Sequence, residues 1–209
     1  MKLLLVFLAS YLLGSIPFGY IIAKKFKGVD IRNHGSGNTG ATNVFRVLGS
    51  KAGLATAIGD VGKGIVAIII ARVLINQTTW GMTEETVNLI TAILVIGGHN
   101  WPVFLKFNGG KGVATTAGVF LALFPYLFPI LVLVWLPIVF LTKYVSLASM
   151  AAGIAIPILM ILFNEPLPYL FFGIIAAIFV LYRHRSNIKR LLKGEENKIN
   201  FPSKEKRVR

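Results

Sequence analysis

Residues 113–142 read VATTAGVFLALFPYLFPILVLVWLPIVFLT, without a single charged side chain. A helix needs about 20 such residues to cross a bilayer. The run is too long for one crossing and tight for two. At its centre stands FPYLFP, where Pro125 and Pro129 are expected to break a helix. Whether the run crosses once or twice decides which side of the membrane every later segment faces.

The flanking charges decide it. Lys106 and Lys111 precede the run and Lys143 follows it. Short cytoplasmic loops collect Lys and Arg, so both ends belong on the same side. The run is therefore expected to go in and come back as two short crossings, tilted or packed within the bundle.

Outward from there, the apolar runs at 3–23, 53–75, 87–105, 144–163 and 167–182 each suit one crossing. The first is too long for a signal peptide and ends in Lys24, Lys25 and Lys27. Lys24, Lys25, Lys27, Arg32, Arg46 and Lys51 against Asp30 mark the first loop as cytoplasmic. Residues 76–86 hold Glu84 and Glu85 but no base, and 164–168 hold only Glu165, so both belong outside. The expectation is an all-α, polytopic integral membrane protein of about seven transmembrane helices, N-terminus out and C-terminus cytoplasmic. Residues 1–192 form one transmembrane domain, and 193–209 form a basic, flexible cytoplasmic tail.

Composition agrees. Of 209 residues 55% are apolar and only 14% charged, against about a quarter charged in soluble domains. Mean hydropathy is +0.72. Lys and Arg total 22 against 8 acids, a net charge of +14. In a membrane chain that excess points to headgroups and anionic substrates, not to nucleic acid. The chain has no cysteine, which excludes disulfides, thiolate metal sites and a Cys nucleophile.

In this topology the polar clusters share one face. The first, GSGNTGATNVFR, spans residues 35–46. Its glycines let successive backbone N–H groups converge on an anion. Ser36, Asn38, Thr39, Thr42 and Asn43 add uncharged hydrogen-bonding groups, and Arg46 adds a fork that grips two phosphate oxygens at once. A plain interhelical loop is also polar, but it less often stacks so many donors ahead of an arginine. NGGKG at 108–112 offers similar chemistry through Lys111; a tight turn with a basic flank reads equally well. Neither it nor GDVGKG at 59–64 is a nucleotide-binding P-loop, because Leu105 and Ala57 stand where its first glycine belongs and both lysines precede glycine.

Asp60 and Lys63 lie three apart within a span, on one helix face, where ionisable groups are costly and suggest function. A pair near the helix end that reaches the interface is the bland alternative. His184 and Asn187 are also three apart, between Arg183, Arg185 and further bases. A headgroup anchor explains the arginines but not the His–Asn pair, and histidine can serve as a base or donate to phosphate. His99 reads equally as a satisfied interfacial histidine. Three scattered histidines give no metal site.

Several motifs at linked spacings carry a resemblance: LLGSIPFGYIIAK, GVDIRNHGSGNTGATNVFRVLG, GDVGKG, GHNWPVFLKFNGGKGVAT, KYVSLAS and YRHRSNIKRLLKG. With them the chain resembles the PlsY family, the bacterial acyl-phosphate:glycerol-3-phosphate acyltransferases, over residues 3–192. The resemblance implies a multi-pass enzyme of the bacterial inner membrane with its active site facing the cytoplasm. It would move a fatty acyl group from acyl phosphate to the 1-hydroxyl of glycerol 3-phosphate, giving lysophosphatidic acid and inorganic phosphate in phospholipid biosynthesis. Its partners would be these substrates and membrane lipid, with no nucleic acid and no cofactor or metal. Carried over by position, Ser36, Arg46, Lys111, His184 and Asn187 would be catalytic, and Gly37, Asn38, Thr42, Asn43, Lys106 and Gly110 would bind substrate. In that family the substrate's own phosphate is suggested to help deprotonation, so either His184 or that phosphate would be the base, and in the second case His184 would orient.

Two other classes fit less well. An organic-phosphate transporter would favour internal repeats and midplane polar breaks, whereas the polarity here is one-sided. A CDP-alcohol phosphotransferase would need clustered aspartates, and Asp60 is the only aspartate in the spans.

Overall fold

The computed structural model describes residues 2–74 and 82–200. They form ten α-helices: α1 Lys2–Ser15, α2 Phe18–Lys27, α3 Ala41–Leu48, α4 Ser50–Leu74, α5 Glu84–Asn100, α6 Val113–Leu123, α7 Phe128–Thr142, α8 Val145–Leu162, α9 Leu167–Arg183 and α10 Arg185–Leu192. No strand occurs among the described residues.

Four segments are long and apolar enough to cross a membrane: Leu3–Lys27, Ser50–Leu74, Glu84–Leu105 and Val145–Leu162. α9 passes the same test only with α10, across a 57° bend, while α6 and α7 are shorter apolar helices. Leu4, Leu5, Leu133, Ile158 and Ile178 stand exposed on outer faces of this bundle, as lipid-facing side chains do.

The run at 113–142 is two helices. Phe124 ends the first by donating its N–H to the Phe120 carbonyl at 2.7 Å. Pro125 makes the break. Pro129 does not: it sits in the first turn of α7, where a missing N–H costs nothing. Lys111 before the run, Val113 at its start and Lys143 after it lie at one end of the bundle. There the backbone N–H of Ile199 bonds the Lys143 carbonyl at 2.9 Å, and Ile199 lines the same chamber as Lys111 and Val113. Tyr126, in the break, hydrogen-bonds Glu165 in the α8–α9 link at the opposite end.

Two expected spans change shape. Residues 3–23 are not one straight helix, because Pro17 parts α1 from α2 and apolar helix continues to Lys27. The Ile16 carbonyl at this break accepts the Phe18 N–H at 3.2 Å and the Lys63 ammonium at 3.0 Å. The helix expected over 87–105 stops at Asn100, ahead of Pro102, and a single 3₁₀ turn follows at Val103–Leu105.

Two glycine pairs set the helix spacing. Gly14 and Gly98 bring α1 and α5 into backbone contact, and Gly64 and Gly118 do the same for α4 and α6; a Cβ at any of them would overlap the facing main chain. The core follows: Ile68, Val95, Phe120, Leu131, Ile156 and Phe172, from six different helices, pack in one cluster. It closes the bundle beneath the end where the polar loops meet.

Candidate active site

The loop before α3 is shaped by α3 itself. The Asn43 side chain, 2% exposed, donates to the carbonyls of His34 and Asn38, both at 2.9 Å, and accepts the Ser36 N–H at 2.8 Å. Asn38 Oδ1 takes the Gly40 N–H at 2.7 Å. Gly35 and Gly37 lie at positive φ, +59° and +71°, which lets the chain fold back on this staple. Ser36 is thus held at the mouth of a chamber. α3 starts at Ala41 without a side-chain cap, and Gly40, Ala41 and Thr42 line the chamber. Its positive N-terminal end favours an anion there. Arg46 lies one turn after Thr42 on the same face, and both reach the lining.

Opposite stands Lys111. The turn before it is gripped from two sides: the Gly110 N–H bonds the His99 carbonyl at 3.1 Å, and the Gly110 carbonyl accepts from the Arg183 guanidinium. The Lys111 ammonium hydrogen-bonds Asn187 Oδ1 on α10. Burial holds this ammonium down at about 8, and Arg190, Arg46 and Arg183 push the same way against Glu196.

His184 sits at the α9–α10 bend, 3% exposed. Its Nδ1 lies 2.8 Å from the Val180 carbonyl. A carbonyl only accepts, so the proton belongs on Nδ1 and Nε2 keeps its lone pair. Burial, then the Lys111 charge, pushes His184 down to about 4. At neutral pH it is an uncharged imidazole that accepts a hydrogen bond and is a weak base.

The chamber has a volume of about 460 Å³. Ser36, Asn38, Thr42, Asn43, Arg46, Lys111, His184 and Asn187 are part of its lining, and Phe120, Leu131, Trp135, Ile156 and Val180 give it a large apolar portion, which Asp60 and His99 also reach. Of the residues carried over by position, three lie outside the lining. Gly37 forms the loop turn. Gly110 commits its N–H and carbonyl to His99 and Arg183. Lys106, at φ 52°, caps the 3₁₀ turn and is exposed.

The site also holds a residue the motifs do not suggest. Glu196, 6% exposed, accepts from Asn187 Nδ2 at 2.7 Å, Ser146 Oγ at 3.0 Å and Arg190 Nε at 2.8 Å. The next residue, Asn197, offers its carbonyl to Arg46 Nη2 at 2.8 Å. Residues 194–200 therefore pack across the chamber mouth, where a loose tail from 193 was expected; 201–209 lie outside the described residues. The only sequence signal was an acid among many bases. Among the described residues no three His, Cys, Asp or Glu side chains group as metal ligands would.

The family model for glycerol-3-phosphate acyltransferase matches residues 4–194. The glycerol-3-phosphate acyltransferase of Carboxydothermus hydrogenoformans is 46% identical over 94% of this chain and 96% of its own length. That of Geobacillus kaustophilus is 42% identical over 96% and 98%. Two crystal structures of PlsY, an integral membrane glycerol 3-phosphate acyltransferase, are 42% identical and cover 96% of both chains. The glycerol 3-phosphate form superposes with a TM-score of 0.86 and the lysophosphatidic acid form with 0.84.

Proposed function

The chain belongs to the glycerol-3-phosphate acyltransferase family, and on that premise we propose that it acylates the 1-hydroxyl of glycerol 3-phosphate with acyl phosphate as donor. The products are lysophosphatidic acid and inorganic phosphate. One observation supports an acyl donor with an anionic head: the chamber lining joins the cations Arg46 and Lys111 and hydrogen-bonding groups to a largely apolar portion. A molecule with an anionic head and a fatty tail matches both parts at once.

In the reaction the glycerol hydroxyl oxygen attacks the acyl carbonyl carbon. The bond from that carbon to the phosphate oxygen breaks, and its electron pair leaves with phosphate. The donor is an activated mixed anhydride, so the protein's task is placement and charge stabilisation. Arg46 and Lys111 hold phosphate oxygens, and Ser36, Asn38, Thr42 and the start of α3 supply further hydrogen bonds. Asn187 orients the Lys111 ammonium. His184 Nε2 accepts the attacking hydroxyl's hydrogen bond and orients it; the proton finishes on the released phosphate, a better base than an imidazole held near 4.

We place the enzyme in the bacterial inner membrane with about seven crossings and the mouth toward the cytoplasm, supported by the basic residues gathered at that end. The test is purified protein given palmitoyl phosphate and glycerol 3-phosphate. Lysophosphatidic acid and phosphate are expected in equal amounts. Acylation from acyl-CoA but not from palmitoyl phosphate would overturn the choice of donor.

A further inference from the structure

A charged cluster inside the bundle, two of whose members, Asp60 and His99, reach the chamber lining, has no role in the chemistry above. Asp60 and Lys63 on α4 are 1% and 3% exposed and pair at 2.9 Å. His99 Nδ1, at the end of α5, lies 3.3 Å from the same Asp60 oxygen. Charges at this depth carry a desolvation cost that apolar residues of equal volume would avoid. Helix packing alone does not call for them.

The cluster leads from the break in the first span to the anion site. Lys63 holds the Ile16 carbonyl, Asp60 joins Lys63 to His99, and His99 meets the turn before Lys111 twice. Its carbonyl accepts the Gly110 N–H at 3.1 Å. Its ring lies with Nε2 so close over Gly110 that a Cβ there would overlap it. Arg183 closes the other face, from Trp101 below to the Gly110 carbonyl above. The turn has no freedom to shift without moving the His99 ring, and the next residue is Lys111.

We propose that His99, its ring against Gly110 and 3.3 Å from Asp60, is a positioning residue that sets where Lys111 Nζ meets a substrate phosphate. The proposal rests on Lys111 gripping such a phosphate. A carboxylate fixing an imidazole that in turn fixes a functional group is a familiar supporting arrangement, and errors near 1 Å at a reacting centre cost about 100-fold.

Two variants test it. His99→Asn keeps a donor near Nδ1 for Asp60 but removes the ring edge over Gly110. Asp60→Asn keeps the shape and removes the charge beside the ring. The readouts are KM for each substrate and kcat, with Lys111→Gln identifying which KM depends on Lys111. A partly unfolded preparation loses kcat but keeps KM, so KM separates placement from folding. That same KM should rise at least fivefold in both variants, with the melting temperature little changed. Unchanged KM values, a rise confined to the other substrate, or failure of both variants to fold would each overturn the proposal. Calorimetric titration with inorganic phosphate reads the same effect without turnover, and at least fivefold weaker binding is expected. Wild-type protein that binds phosphate but transfers no acyl group would sink the acyltransfer assignment and leave the positioning role standing.

Discussion

The Lys111 ammonium hydrogen-bonds the side-chain oxygen of Asn187, 76 residues away in sequence. That contact joins the turn before α6 to the short helix after the last long span. It places a cation at the chamber mouth with one of its three donors satisfied and the others available. Asn187 also gives its amide to Glu196, so the carboxylate of the C-terminal segment fixes which way the Asn187 oxygen points.

The pH profile should expose Lys111. Burial holds it at about 8, so the ammonium is charged below that pH and neutral above it. Phosphate binding needs the charged form. In the free enzyme, kcat/KM for the phosphate substrate that it grips should therefore fall as pH rises through about 8. Lys111→Arg keeps its charge to far higher pH and should lose this alkaline limb, whatever its plateau activity. An identical limb in both proteins would assign the ionisation elsewhere.

Glu196 should matter for stability as well as placement. Burial works to raise its pKa, but the bonds from Asn187, Arg190 and Ser146 outweigh it and hold the carboxyl low. A lowered folded-state pKa means that this contribution is present above the unfolded carboxyl pKa and is lost as pH falls through the folded one. Hydrogen bonds to a charged group contribute about 1.5–3 kcal/mol. Glu196→Gln should thus lower the melting temperature by roughly 3–12 °C for a chain of this size and reduce kcat by freeing residues 194–200. A melting point within 1 °C of wild type would show that the carboxylate does not hold the segment.

Much of this arrangement is legible in the sequence, for identifiable reasons. Pro125 in an uncharged run, with lysines at both ends, reports two helices because a proline break and loop charge act locally. Arg46, Lys111, His184 and Asn187 stand out because polar groups beside apolar spans are expensive. Pro17 does not register as a break, since the hydropathy on either side is unbroken and the Ile16 carbonyl's bond to Lys63 shows only in the fold. Glu196 has no periodicity or motif to mark it; its role depends on α10 turning 57° from α9. Ser146, in an apolar helix, shows its role only with the Glu196 carboxylate beside it. The resemblance groups Lys106 and Gly110 with Lys111; it does not reveal the positive φ of Lys106 or the carbonyl clamp on Gly110.

The two ends of the bundle can be tested against the membrane. Asn108, near Lys111, and Asn164, beside Glu165, lie at opposite ends and are both exposed. The chain has no cysteine, so single Asn108→Cys and Asn164→Cys proteins can be labelled cleanly in intact cells. An impermeant thiol reagent should reach residue 164 from outside and residue 108 only after the membrane is opened. Labelling of both from the same side would overturn the crossing pattern. Thr79, which also belongs outside by loop charge, lies beyond the described residues.

Arg46 gives the sharpest test of the phosphate grip. Its Nη2 bonds the Asn197 carbonyl at 2.8 Å, while its Nε is buried with no hydrogen-bond partner among the described residues. A buried, unpaired donor is costly, and a phosphate oxygen is the partner that the chamber can admit. A guanidinium can hold the tail carbonyl and a phosphate together because its donors form a planar fork, whereas lysine is a point charge on a flexible stem. Arg46→Lys keeps the charge and the helix, so α3 and the Asn43 staple should survive. One well-placed charged hydrogen bond in a transition state is worth about 2–4 kcal/mol, roughly 30- to 1000-fold in rate. The expected result is a loss of that size in kcat/KM for glycerol 3-phosphate, measured on folded, monodisperse protein. If Arg46 only anchors the chain to lipid headgroups, lysine should serve almost as well, and a value within threefold of wild type would falsify the clamp.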